Sequence, residues 1–181
     1  MLDATQFTPA TDWRQTLTYG DIISFRFPVR GSEIPPKIRP CLVLDIVKVG
    51  DARYALLAYG TSAKTRANRG YEVQLGRVDA RAAGLHRPTR FVGARRMLVS
   101  LDHPDIVICA GAGAPVIGCL SGAAVERMHA VRARIQAEAD IVAERRSERR
   151  KARRSRRQKA EPRPVWARRR TLRRPRPAES A

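Results

Sequence analysis

The sequence predicts a mainly β protein: a small barrel of short strands, one C-terminal helix packed on it, and a basic tail outside the fold. Three observations lead there. Between Tyr19 and Ala110, short apolar or alternating runs recur at close spacing, broken by Gly, Pro and Asp. That is the pattern of many short strands rather than of a layered α/β fold. After them comes a single helical stripe of Val125, Met128, Val131, Ile135 and Val142. Charge is also segregated, because from Glu144 onward 17 Lys+Arg stand against 4 Asp+Glu, a net +13 of the chain's +19.

Residues 1–18 are polar and mixed, a leader arm with Trp13 and Leu17 as anchors. From Tyr19 the period is two: Ile23, Phe25 and Phe27 share one face while Ser24 and Arg26 lie on the other, which predicts a half-buried strand. Pro28 ends it, and 29–40 holds Gly31, Ser32 and three prolines, the chemistry of a long polar loop. Residues 41–47 are apolar on both sides and too short for an isolated helix, so they predict a central strand. Gly50 and Asp51 turn the chain and 54–58 returns it. Further strands are expected at 72–75, 90–94, 97–101 and 106–110, separated by turns. Ser121 can cap the helix.

The domain layout is therefore a leader at 1–18, a barrel with its helix at 19–143 and a tail at 144–181. In that tail Val165, Trp166 and Leu172 are the only large apolar residues and four prolines interrupt it, so burial could not offset the entropy of ordering it. It is expected to be largely disordered beyond the helix that enters it. Like charges in a block suit a polyanion, with RNA or DNA ahead of an anionic membrane surface.

Cys41, Cys109 and Cys119 are odd in number, widely spaced and set among apolar neighbours, as expected of reduced core residues in a cytoplasmic protein. No stretch approaches the roughly 18 apolar residues of a membrane span. No CxxC pair, HExxH or Walker loop is present, so neither a metal nor a cofactor is expected. His86, His103 and His129 are scattered and read as surface or half-buried residues rather than ligands.

The polar loop places Glu33, Lys37 and Arg39 directly before a buried strand. Pro40 fixes its own φ and pushes Arg39 into an extended conformation, so the guanidinium projects from a rigid strand mouth. A planar cation held this way suits a phosphate. Gly60, Thr61 and Ser62 follow the returning strand with two hydroxyls, and Lys64 and Arg66 come close behind. Taken singly, Arg before Pro and Thr-Ser after a strand are also ordinary loop chemistry.

Their order along the chain says more. It runs Gly20-Asp21-Ile22-Ile23, Phe27-Pro28, Gly31-Ser32-Glu33 and Lys37-Ile38-Arg39-Pro40-Cys41-Leu42-Val43-Leu44, then Thr61-Ser62, Pro88-Thr89, Ser100-Leu101-Asp102 and Ile117-Gly118-Cys119-Leu120-Ser121. Over about residues 19–140 this order resembles the MazF/PemK (Kid) toxins of bacterial toxin–antitoxin systems. The resemblance implies an SH3-like barrel with a C-terminal helix, usually a homodimer. It implies a metal-independent endoribonuclease that leaves a 2′,3′-cyclic phosphate and a 5′-hydroxyl, held in check by a small acidic cognate antitoxin.

By the same resemblance, Arg39 matches the arginine of the family's Arg-Pro motif and Thr61 the hydroxyl residue after the following strand, while Glu33 matches a loop acid of some members. Arg39, Thr61 and Glu33 are thus the expected catalytic residues, with Lys37, Ser62, Lys64, Arg66 and Arg96 binding RNA. Two other functions fit the same fold. One is a non-catalytic nucleic-acid-binding protein, and the other a gyrase-targeting toxin of the related CcdB type.

Overall fold

The computed structural model describes residues 12–28, 36–63 and 68–159. Contacts divide the chain into two compact units, Met1–Ala139 and Asp140–Ala181. Among the described residues six strands build the first: β1 (Asp21–Arg26), β2 (Ile38–Val49), β3 (Ala52–Thr61), β4 (Glu72–Leu75), β5 (Thr89–Ser100) and β6 (Val116–Cys119). Two short helices, α1 (Trp13–Thr16) and α2 (Arg77–Ala82), sit among them, and α3 (Ala123–Lys159) follows. The strands form one antiparallel sheet of order β4-β5-β3-β2-β1-β6, curled into a half-barrel.

The expected alternation of β1 is realised. Ile23, Phe25 and Phe27 are buried in one apolar cluster with Cys41, Val43, Leu57 and Tyr59, while Ile22 turns to a second cluster with Leu42, Leu44, Val73 and Phe91. Apolar residues on both sides of β2 are therefore needed, since each face of the sheet carries its own core. α3 closes the second cluster, with Met128 and Val131 buried and Val125 and Ile135 packed against it. Gly93 lets α3 come this close, because a Cβ there would lie 2.7 Å from Cγ1 of Val131. In the leader, α1 brings Trp13 and Leu17 onto the first cluster, where Leu17 is buried.

Several elements differ from expectation, among them α1 and β6, where no helix and no strand were expected. The strands expected at 90–94 and 97–101 are one strand, β5, because the chain bulges rather than turns. Tyr59 pairs with Val92 while its neighbour Ala58 pairs with Arg96, leaving Gly93, Ala94 and Arg95 unmatched against β3. The 106–110 stretch is not a strand: Ile106 makes an isolated bridge to Phe25, and Cys109 bridges Ala114 around a tight turn. β6 takes the edge of β1 at Asp21, Ile22 and Ile23, and the stretch 105–107 pairs only with its far end, the amide of Arg26 donating to the carbonyl of Asp105 and that of Val107 to the carbonyl of Ser24.

α2 was not expected; an Ala- and Arg-rich turn between Gly76 and Gly84 is too short to show a helical period. As expected of a helix that enters the tail, α3 crosses 143, and it runs to Lys159. From Glu144 to Lys159 every residue is Arg, Lys, Glu, Gln, Ala or Ser, nearly all strong helix formers, with no Gly or Pro. Residues 1–11, which belong to the expected leader, and 160–181, which belong to the expected tail, lie outside the described residues. No helix among the described residues is long and apolar enough to cross a membrane.

Candidate nucleic-acid interface

Where β2 begins and β3 ends, the two strands approach unusually closely. A Cβ on Gly60 would lie 2.0 Å from the carbonyl oxygen of Pro40 and 3.1 Å from the ring of Phe91. Only glycine fits between them, so it sets the spacing of the residues on either side, Arg39 on β2 and Thr61 on β3. The ladder pairs Cys41 with Tyr59, and Arg39 and Thr61 each stand two residues further towards the same end. Period-two alternation thus puts Arg39, Tyr59 and Thr61 on one face.

The Arg39 guanidinium lies 5.2 Å from the centroid of the Tyr59 ring. Arg95 reaches the same ring from the β5 bulge at 4.0 Å, and Phe27 packs edge-on against it with centroids 5.2 Å apart. Stacking on an aromatic face orients a guanidinium without consuming its N–H donors. Among the described residues no carboxylate pairs with Arg39. Thr61 Oγ1 accepts from the amide of Ala63 at 3.1 Å, which orients the hydroxyl and leaves its hydrogen to donate.

A second pair of glycines builds the opposite wall. Gly84, at φ +75°, would place a Cβ 2.1 Å from the Ile117 carbonyl oxygen, and Gly118 would place one 2.1 Å from that of Ala83. The end of α2 therefore lies backbone to backbone on β6. From there the chain runs through Leu85, His86 and Arg87 to Thr89, whose hydroxyl donates to the Arg87 carbonyl at 3.0 Å. Leu85 is buried and acts as the anchor, while His86 and Arg87 remain exposed.

Between these walls lies a groove of about 450 Å³ that wraps the end of β2 and β3. Arg39, Thr61 and Ser62 line it together with Ser24, His86, Arg87 and Thr89, and no carboxylate among the described residues does. A hollow of about 280 Å³ shares Thr61, Ser62 and Thr89 with it and adds Gln74 and Arg90. The Arg90 guanidinium stands 3.3 Å from Glu72, which holds it within the wall. The two together suit an extended anionic ligand: cations and hydroxyls on the walls, with an amide at one end.

Of the expected site residues, Arg39, Thr61 and Ser62 come together here. Lys37 is exposed just before β2 and does not line the groove. Arg96 is also apart; its guanidinium donates to the Gly93 carbonyl at 3.1 Å, and its neighbour Arg95 is the one that reaches Tyr59 beside Arg39. The bulge explains this, because the strand shift between 92 and 96 presents Arg95 where an unbroken ladder would not. Glu33, Lys64 and Arg66 lie outside the described residues.

Sequence reasoning missed His86 and Arg87, and the signal was local: an apolar anchor and two basic residues held between Gly84 and Pro88. Cys41, next to Arg39, is buried, and that burial pushes its thiol up to about 12, against the smaller opposing effects of the Gly60 amide and the Arg39 charge. It stays a protonated core residue rather than a nucleophile, whereas Cys109 and Cys119, also expected in the core, are half-buried and exposed. Among the described residues no group of three His, Cys, Asp or Glu converges as metal ligands would. Compared with protein-family models and with curated proteins, the chain matches none.

Proposed function

We propose that this protein is an endoribonuclease of the MazF/PemK type, cutting single-stranded RNA to 2′,3′-cyclic phosphate and 5′-hydroxyl ends without a metal. One observation supports the reading above others. Arg39, whose guanidinium lies over Tyr59 with no carboxylate partner among the described residues, and Thr61, with its oriented hydroxyl, line one groove that adds Arg87 and, among the described residues, no acid. The curled sheet of the first unit is accordingly read as an SH3-like barrel. The partners that go with this reading are a second copy of the chain and a small acidic antitoxin covering the groove.

The reaction asks for three things. The 2′-hydroxyl must lose its proton as its oxygen bonds to phosphorus, the added negative charge must be stabilised, and the 5′-oxygen must gain a proton as its bond to phosphorus breaks. Arg39 and Thr61 meet the second need by charge-assisted and hydroxyl hydrogen bonds to the phosphoryl oxygens. A guanidinium is a poor base at neutral pH, so proton transfer falls to other groups. His86 lines the same groove, and imidazole both accepts and donates protons near neutral pH. Glu33 is the second candidate base.

The test incubates the purified protein with a long RNA in excess EDTA and maps the ends. Cyclic phosphate and 5′-hydroxyl ends are expected, with Arg39→Ala losing cleavage by at least about 100-fold, the scale of removing one oxyanion donor. Arg39→Lys separates charge from planarity, because a bidentate contact predicts nearly complete loss. RNA that binds in the groove and stays intact would leave the non-catalytic reading in place of this one.

A further inference from the structure

The distal part of α3 carries a charge pattern that the groove does not use. Between Glu144 and Arg157 there are eight arginines, at 145, 146, 149, 150, 153, 154, 156 and 157. At about 100° per residue they all fall within about half of the helix circumference, while Glu144, Ser147, Glu148, Lys151, Ala152 and Ser155 take the other half. Every one of these residues is exposed. Arg146, Arg150 and Arg154, four residues apart, line a surface hollow that Ala143, Ser147 and Lys151 complete at the edge of this face.

We infer that this arginine face is a second RNA-binding site, which grips the phosphate backbone of a long RNA and tethers it to the protein. It takes RNA as the ligand from the proposed function of the groove. The face itself stands on its own pattern. A random basic tail would scatter its arginines around the helix, whereas here a strip about 18 Å long offers guanidinium forks in one direction. A membrane surface is the poorer fit, because an interfacial helix needs an apolar face and residues 144–157 have none. The face also lacks aromatic side chains on which unpaired bases would stack, so it reads charge and spacing rather than sequence. Holding a long RNA here raises its effective concentration for any second contact on the same chain.

The experiment uses the full chain with Arg39→Ala, so that RNA stays intact, and measures affinity for a long RNA and for a short oligonucleotide across a salt series. Three helices are compared: the natural one, one with Arg146, Arg150, Arg153 and Arg157 all replaced by Gln, and one with 144–157 reordered so that the same eight arginines surround the axis. Circular dichroism checks that all three keep their helix. The Gln helix is expected to weaken long-RNA binding and to flatten the slope of log K against log salt by about 3, the loss of four phosphate contacts, leaving the short oligonucleotide unaffected. The reordered helix should also weaken binding. An unchanged slope in the first variant, or full affinity in the reordered one, overturns the proposal. Because the readout is binding, a protein that cuts no RNA would overturn the nuclease reading and leave this result standing.

Discussion

Asp21 begins β1 half-buried, and desolvation raises its carboxyl above the ordinary value, more than the hydrogen bond from the Thr18 amide lowers it. A raised acid holds its proton more tightly in the folded chain than in the unfolded one. Its contribution is therefore fully favourable below the unfolded carboxylate range near about 4 and is lost as pH rises through the raised folded value. Asp21→Asn keeps an acceptor for Thr18 and removes the titration. The fall in Tm from pH 4 upward should be shallower in the variant; equal slopes would show that Asp21 does not couple to folding. Cys41 offers a second check at this scale. At neutral pH an alkylating reagent should label exposed Cys119 and spare Cys41 in the folded protein, and early labelling of Cys41 would mean that the strand end opens.

At the scale of elements, the groove depends on two close backbone approaches. Pro40 meets Gly60 within the sheet, and Ala83-Gly84 meets Ile117-Gly118 between α2 and β6. Gly84→Ala adds left-handed strain and a clash with a carbonyl that cannot swing aside. Chemical denaturation should show a loss of about 2 kcal/mol or more. RNA cleavage should fall further than stability, because His86 and Arg87 would shift. Gly111→Ala is the matched control, with nothing within 4 Å of the new methyl group. The strands that form the walls were legible in the sequence because buried faces leave a period of two in Ile23, Phe25 and Phe27. The connection carrying His86 was not, since a six-residue helix and a loop leave no period to read.

For the whole molecule, the question is how far each unit depends on the other. Among the described residues beyond Ile135 none is buried, so the last turns of α3 contribute no core. Removing 144–181 should leave the Tm within about 2 °C, the effect of well under 1 kcal/mol in a chain of this size. A larger drop would show that those residues stabilise the sheet. The absence of buried positions is also why the sequence marks no end for the helix that enters the tail. An apolar stripe marks where a helix packs; Val142, expected in that stripe, is exposed, so packing ends at Ile135 and only helix propensity extends the helix beyond it.

Patterning and composition alone determined that the chain is mainly β with one C-terminal helix, that β2 is buried on both faces, and that positive charge gathers beyond residue 143. Each is written in neighbouring residues, through the two-residue period of a strand, the apolar stripe of a packed helix, or a charge run. Only tertiary structure decided that Arg95 rather than Arg96 stacks beside Arg39, and that His86 and Arg87 join Thr61 in one groove. Those meetings depend on a three-residue bulge and on glycines that let separate backbones touch. Contacts between distant segments leave no periodic trace in the chain that makes them.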